Sequence, residues 1–226
     1  MIYVETLIRA DLDEIWRRTR DPGSHQRWDL RFTRISVLGD KQRFRYATRV
    51  LPGLVVAGIG TTVGERRRPD GTCTSALRFA CDHPLSLIRE GAGYWRYVPT
   101  GAGVRFLTGY DYRPGWGGAG PLADHAFRPL LGWATAWSFD RLRLWLERGI
   151  DPRRSLLQAM AELLLRTAAV AVALGIGPWW LALATAAIAL GAPPAPGTPA
   201  ARRCRRRPPD RSSATPPSTL DTLGAP

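Results

Sequence analysis

Between Thr167 and Ala201 the chain runs for 35 residues without one charged side chain. A helix over its core, Thr167–Ala192, would span about 39 Å at 1.5 Å per residue. That is enough to cross a hydrocarbon layer about 30 Å thick with some tilt. A uniformly apolar helix has no polar side to show water, so membrane contact through 167–192 is expected. Gly175-Ile176-Gly177-Pro178 interrupts the run, which leaves two arrangements open: one kinked span, or a re-entrant hairpin. In a hairpin the first arm, about 156–174, would carry Glu162 and Arg166, an i,i+4 pair that can neutralise itself. The second arm, Trp179–Leu190, reaches only about 18 Å. A single span would instead carry Arg202, Arg203, Arg205, Arg206, Arg207 and Arg211 across the bilayer, against the positive-inside preference. The hairpin is the favoured arrangement, with both ends and the folded part of the chain on the cytoplasmic face of the membrane. Trp179-Trp180 suits the membrane–water interface.

Charge adds less than it first suggests. The net charge is +13 on 226 residues, yet of 32 basic residues only Lys41 is a lysine. Residues 1–152 hold 23 basic and 16 acidic side chains, and residues 153–226 hold 9 and 3. A nucleic-acid surface would gather its charge on one face, so no nucleic-acid partner is expected. Three cysteines, Cys73, Cys81 and Cys204, are too few for a disulfide scaffold and fit a reduced compartment. The N-terminus lacks the basic-then-apolar pattern of a secretory signal.

The first 152 residues read as one α+β domain. A strand over 2–9 leads to a helix that Asp11 caps, with Glu14 three residues on. Asp21-Pro22-Gly23 ends it, and a short helix follows over 24–28. Strands are expected at 32–38, 42–51, 54–66, 72–81, 86–98 and 103–113, with turns at Gly39-Asp40, Pro52-Gly53, Pro69-Asp70-Gly71, His83-Pro84 and Pro99-Thr100-Gly101. In the last strand, Val104, Phe106, Thr108, Tyr110 and Tyr112 share one face. A Gly/Pro-rich loop then leads to a long helix, 122–148, which Pro129 kinks or restarts. Leu130, Trp133, Trp137 and Leu144 form its apolar stripe. The order predicts a curved antiparallel sheet of six to seven strands around a long C-terminal helix. Residues 153–192 form a membrane-associated segment, a helix or hairpin. Residues 193–226, rich in Pro, Ala, Ser, Thr and Arg, are expected to be disordered.

Asp11-Leu12-Asp13-Glu14-Ile15-Trp16, then Asp21-Pro22 and Gln26-Arg27-Trp28-Asp29, resemble the opening of the START-like (SRPBCC) superfamily, the polyketide cyclase/dehydrase and lipid-transport group. The resemblance covers residues 1–148. It implies a helix-grip fold with a cavity between sheet and long helix. It assigns no catalytic residue, because the superfamily shares none.

Within such a cavity, Tyr46, Thr48, Tyr110 and Tyr112 would face Trp133 and Trp137, giving a few polar points in apolar surroundings; alternatively these aromatics fill the core. Asp140 lies on the same helix stripe. It is either a pocket acid that needs Arg105, Arg96 or Arg49 as partner, or a surface residue paired with Arg143 or Arg141. His25, His83 and His125 lack a spaced nucleophile or carboxylate and are expected at the surface or in caps. Trp28-Asp29-Leu30-Arg31-Phe32 is a structural clasp or a gate at the cavity mouth. Arg202, Arg203, Arg205, Arg206 and Arg207 could meet anionic headgroups at about 1 kcal/mol each, or be solvated. No metal-ligand spacing is present, and no cofactor is expected. The function expected is a membrane-tethered binding or carrier module for a hydrophobic small molecule or lipid. The alternative is an enzyme of the cyclase/dehydrase kind acting on a polyketide-like or aromatic substrate.

Overall fold

Alternation and turn chemistry place the elements almost where the sequence puts them. The computed structural model describes residues 1–39 and 42–217; Asp40 of the first turn and residues 218–226 of the tail lie outside the described residues. Seven strands, β1 (Ile2–Ile8), β2 (Arg34–Val37), β3 (Arg43–Leu51), β4 (Leu54–Arg67), β5 (Cys73–Ala80), β6 (Ile88–Thr100) and β7 (Gly103–Pro114), form one sheet. Its order is β1-β7-β6-β5-β4-β3-β2, antiparallel throughout. Helices α1 (Leu12–Arg20) and α2 (Pro22–Trp28) follow β1, and α3 (Gly120–Arg148) follows β7. This is the helix-grip architecture, in the element order that the START-like resemblance implies.

The local causes are visible. Asp11 caps α1, its Oδ1 accepting from the Asp13 and Glu14 amides at 2.8 and 3.3 Å. Glu14 turns to Arg17 and Arg18 instead of completing a capping box. Asp21 caps α2, with Pro22 at the first helical position. Phe44 lies over Gly60 and Tyr46 over Gly58, where an added Cβ would come within 2.2 Å of the Phe44 ring and 2.3 Å of the Tyr46 hydroxyl. Aromatic side chains lean across glycines in this way only where the partner strand has no Cβ.

The inner face of the sheet closes on α3 through Val4, Ile8, Trp95, Tyr97, Phe106, Phe139 and Leu142. The Phe106 and Phe139 rings stack at 4.4 Å. α3 runs unbroken through Pro129. Its expected stripe divides: Trp137 and Leu144 are buried, whereas Leu130 and Trp133 are exposed. The buried face is completed by Gly132, Thr135, Ala136, Phe139 and Leu142, of which the small Gly132, Thr135 and Ala136 let the helix approach the aromatic sheet face. Arg18 and Arg27 flank the Trp145 ring at 4.0 and 4.7 Å, tying α1 and α2 to the end of α3.

The uncharged run forms two helices, α4 (Pro152–Ile176) and α5 (Trp179–Gly191), folded back on each other at Gly177-Pro178. The Arg166 guanidinium donates to Glu162 and to the carbonyls of Ala189 and Ala192, so the charge pair closes the root of a hairpin. Ser155, in the first turn of α4, is fully buried, while Ile176 at its far end is 83% and Leu190 near the end of α5 86% exposed.

Beyond the hairpin the structure departs from expectation. The residues expected to be disordered lie against the domain as far as the described residues extend. Glu5 and Arg205 exchange both backbone hydrogen bonds at 2.8 Å, extending the β1 edge. The chain then crosses the outer sheet face, where Tyr94 donates to the Ser213 carbonyl and Arg96 to those of Ser212 and Thr215. Ser213 seals a small cluster of Tyr3, Tyr94 and Leu107. A composition poor in large apolar residues predicts disorder for a free chain. Here the surface to be covered belongs to the sheet, and the tail supplies backbone hydrogen bonds.

Asp140 secures this return. Its carboxylate is fully buried and accepts from Arg143 at 2.7 Å, Arg203 at 3.0 Å and the Ala200 amide at 2.8 Å. Removing one side of a buried pair leaves uncompensated charge. Asp140→Ala is expected to cost about 3 kcal/mol, at the low end because both arginines keep some contact with water. Urea denaturation would measure this, and limited proteolysis should find 193–217 newly cleavable; unchanged stability and protection would contradict the role.

Candidate functional site

Helices do not cover the inner sheet face evenly. α3 packs on β1 and β7, α2 on β2, and α1 reaches Ser75 of β5 and Glu65 of β4 through Arg20, which leaves the inner face of β3 and the facing parts of β4 and β5 less covered, as a trough. Phe44, Tyr46, Leu77 and Phe79 line it half-buried, over a floor of Gly58, Gly60 and Gly91.

One end of the trough is closed by the α2–β2 connection, where a charged cluster is built from residues close in sequence. His25 and Asp29 sit one helical turn apart, Nε2 to Oδ2 at 3.1 Å. Arg31 folds back on the same carboxylate with Nε at 2.9 Å and Nη2 at 2.7 Å, and its own amide donates at 3.0 Å. The His25 ring stacks on Trp28 at 4.9 Å and meets Phe32 and Trp95 edge-on. Arg31 lies 5.6 Å over Tyr110, whose hydroxyl pairs with Thr135 at 2.8 Å. The Leu30 amide donates to Ser138 at 2.9 Å, and Thr48 donates to the Arg31 carbonyl. The connection is thus fixed to both α3 and β3.

Burial pushes the Asp29 carboxyl up, but the Arg31 charge and the His25 and Arg31 hydrogen bonds outweigh it and hold Asp29 far below the usual carboxylate range. For His25 burial wins over Asp29, and its pKa lies below the ordinary value of 6.5. At neutral pH the cluster therefore presents a neutral imidazole beside a compensated carboxylate–guanidinium pair. Such a set can anchor the polar end of a molecule whose apolar part lies along Phe44, Tyr46 and Phe79, or hold a proton acceptor against it.

Of the expected cavity residues, Tyr46, Thr48 and Tyr110 meet at this cluster; Phe32 and Tyr46 are 5.5 Å apart. Trp137 is in the core and stacks at 6.3 Å on Trp133, which is half-exposed. Tyr112 donates to Asp124 near the start of α3. Arg105 is on the outer face, paired with Glu5 at 2.9 Å. Asp140 is buried, as a pocket acid would be, but it faces the returning tail with Arg143 and Arg203. Its partners are not Arg105, Arg96 or Arg49. Among the headgroup candidates, Arg203 is bound to Asp140 and to carbonyls, Arg205 carries the bridge to Glu5, and Arg202 reaches Ala192. Arg206 and Arg207 are exposed.

His25, expected at the surface, is the residue that sequence reasoning missed. The signal was its spacing: four residues before Asp29, with Trp28 and Phe32 close by. His83 and His125 bond locally, within a turn and the first turns of α3. No cluster of three His, Cys, Asp or Glu able to hold a metal occurs among the described residues.

No family model matches the chain. An uncharacterized membrane protein of Bacillus subtilis (strain 168), YndG, is 48% identical over 165 residues, 70% of this chain and 62% of the relative. The chain therefore spans less than two thirds of that relative's length. A STAR-related lipid transfer protein from Xanthomonas axonopodis is similar over 65% of this chain and 85% of its own, with 18% identity and a TM-score of 0.49. The di-domain ARO/CYC StfQ of the steffimycin biosynthetic pathway is similar over 65% of this chain and 50% of its own, with 14% identity and a TM-score of 0.49. At these values the similarity to solved structures says nothing of ligand or activity.

The His25 environment has a measurable consequence. A group whose folded pKa is lowered resists protonation, so the unfolded chain takes up the proton first. Stability is complete above the unfolded value of about 6.5 and falls as pH drops below it. Asp29, also lowered, loses its contribution only below about 3.8, outside this window. The His25 imidazole resonances should titrate with a midpoint below 6.5, and His25→Gln should flatten the fall in urea stability between about pH 6.5 and 5. A midpoint at or above 6.5 would contradict the burial described.

Proposed function

We propose that this chain is a membrane-tethered binding or carrier module for an amphipathic small molecule or lipid, held in the trough between sheet and helices. One observation carries the proposal. The inner face around Phe44, Tyr46, Leu77 and Phe79 is apolar and only half-buried, and it ends on the His25–Asp29–Arg31 cluster. An apolar site with a few converging polar groups is the usual form of a small-molecule pocket.

The tether would be the α4–α5 hairpin. Pro152–Ile176 is long and apolar enough to cross a membrane by length and composition. Its part beyond Glu162, residues 163–176, reaches about 21 Å, and α5 about 20 Å. Both fall short of a hydrocarbon core of about 30 Å, which supports a re-entrant hairpin over a full crossing. The tail's return to the β1 edge supports both hairpin ends lying on the domain's side, the cytoplasmic side by the positive-inside preference. That the B. subtilis relative is called a membrane protein agrees with this. Tethering would raise the effective concentration of a membrane-borne ligand at the trough.

An enzyme of the cyclase/dehydrase kind is the second reading. The apposed His25 and Asp29 favour it, since an acid–base site needs ionisable groups facing the pocket.

Native mass spectrometry of the full chain in detergent is expected to show a co-purifying apolar species of defined mass. Phe44→Asp, which places a charge on the trough wall, should weaken that ligand by at least about tenfold. Absence of any ligand and of any thermal shift across a lipid panel would overturn the binding reading. For the tether, replacing 163–192 by a Gly/Ser linker should release the protein from membranes with 193–217 retained on the domain. If it still pellets with membranes, the hairpin is not the anchor.

A further inference from the structure

A second cleft, of about 440 Å³, opens where the hairpin returns to the domain. It is lined by Thr6, Leu7, Arg143, Arg148, Pro196 and Arg203. It lies at the β1 edge, well apart from the trough on β3–β5. Three arginines line it and, among the described residues, no carboxylate does.

The acids nearby are already paired. Asp140 is fully buried behind Arg143 and Arg203. Glu147 accepts from Arg143 at 2.8 Å and from the Arg9 amide at 2.9 Å. These bonds hold Arg143 in place in the wall of the cleft. Arg203 is held likewise by Asp140 and the carbonyls of Pro194, Ala195 and Thr198. Arg148 is different: it is exposed, and its only hydrogen bond among the described residues runs from Nη1 to the Pro196 carbonyl at 3.1 Å. The rest of its donor fork is open to a ligand. Three arginines against two carboxylates leave the cleft with an excess positive charge.

The sheet edge supplies a further donor. Glu5 exchanges its amide and carbonyl with Arg205, and the Arg9 amide bonds Glu147. Backbone groups of alternate residues point off an antiparallel edge, so the Leu7 amide, between these two, points off the same edge into the cleft. A backbone amide beside an arginine fork matches the oxygens of a phosphoryl group.

We propose that this cleft binds a phosphoryl anion, with Arg148 as the principal ligand-facing residue, the Leu7 amide as a second donor, and Arg143 and Arg203 as fixed charges. Pro196 belongs to the segment that leaves the hairpin, so the headgroup of an anionic phospholipid is one source of that group, and a free phosphate is the other. The lipid source rests on the membrane reading above; the phosphate source does not.

The test uses the full chain in detergent and in vesicles. Inorganic phosphate is titrated calorimetrically in detergent. Partition is then measured into phosphatidylcholine vesicles with and without phosphatidylglycerol. Arg148→Gln is expected to weaken the phosphoryl interaction about tenfold, the worth of a charge-assisted hydrogen bond, with Arg148→Lys intermediate. Loss in both arms identifies a site open to free phosphate; loss only of the phosphatidylglycerol preference identifies a lipid headgroup site. The control is Arg206→Gln/Arg207→Gln, which removes exposed charge outside the cleft. If that control abolishes the preference while Arg148→Gln leaves both arms unchanged, the cleft is not the site and the proposal is overturned. It is equally overturned if the wild type binds neither phosphate nor phosphatidylglycerol selectively. Failure of the wild type to enter phosphatidylcholine vesicles at all would contradict the membrane tether while leaving the phosphate arm to decide the cleft.

Discussion

The buried Asp140 carboxylate is the contact on which the C-terminal third of the molecule depends. A carboxylate without water needs partners on all sides. α3 provides one, Arg143; the others, Arg203 and the Ala200 amide, come from the far side of the hairpin. Once these are in place, the ends of α4 and α5 are pinned to the domain, Arg205 is brought to the free edge of β1, and the outer sheet face is covered by residues up to Thr215. The hairpin is thereby an excursion from a domain that continues after it.

This organisation gives the chain two separate surfaces with different chemistry. The trough over β3–β5 is apolar, with a compensated ionic cluster at one end. The cleft at the β1 edge is cationic and lies beside the hairpin root. By the proposals above, the first would take the apolar body of a ligand and the second a phosphoryl anion. Both are consequences of where the helices leave the sheet uncovered.

Most of the domain was legible in the sequence, because strand alternation, capping and turn residues are local. Thus Pro52-Gly53 and Pro69-Asp70-Gly71 mark turns whatever the rest of the chain does, and Asp11 caps α1 with its own neighbours. The tail was not legible, since its order comes from partners more than a hundred residues away: Tyr94, Arg96 and Glu5. Helix spacing offered Asp140 either a sheet arginine in a pocket or Arg143 at the surface; it takes Arg143 but is buried, and its second arginine, Arg203, comes from beyond the hairpin, where local spacing cannot point. Trp133 was misplaced for a related reason. Large apolar residues at helical spacing suggest the buried face, but α3 approaches the aromatic sheet through Gly132, Thr135 and Ala136, and turns Trp133 outward. At the candidate site, the cavity candidates Tyr46, Thr48 and Tyr110 lie beside Phe32 and Arg31, whereas His25 was missed because its burial depends on Phe32 and Trp95 closing over it.

The central claim is that a re-entrant hairpin leaves both of its flanks on one side of a membrane. Single cysteines at Arg113 in β7 and Arg207 in the tail, both exposed, would report it most directly, because the three native cysteines are buried. In sealed vesicles of known orientation, a membrane-impermeant maleimide should label both positions from the same side, in inside-out vesicles if that side is cytoplasmic. Labelling of Arg113→Cys from one side and Arg207→Cys from the other would contradict the hairpin and with it the tail's place on the domain.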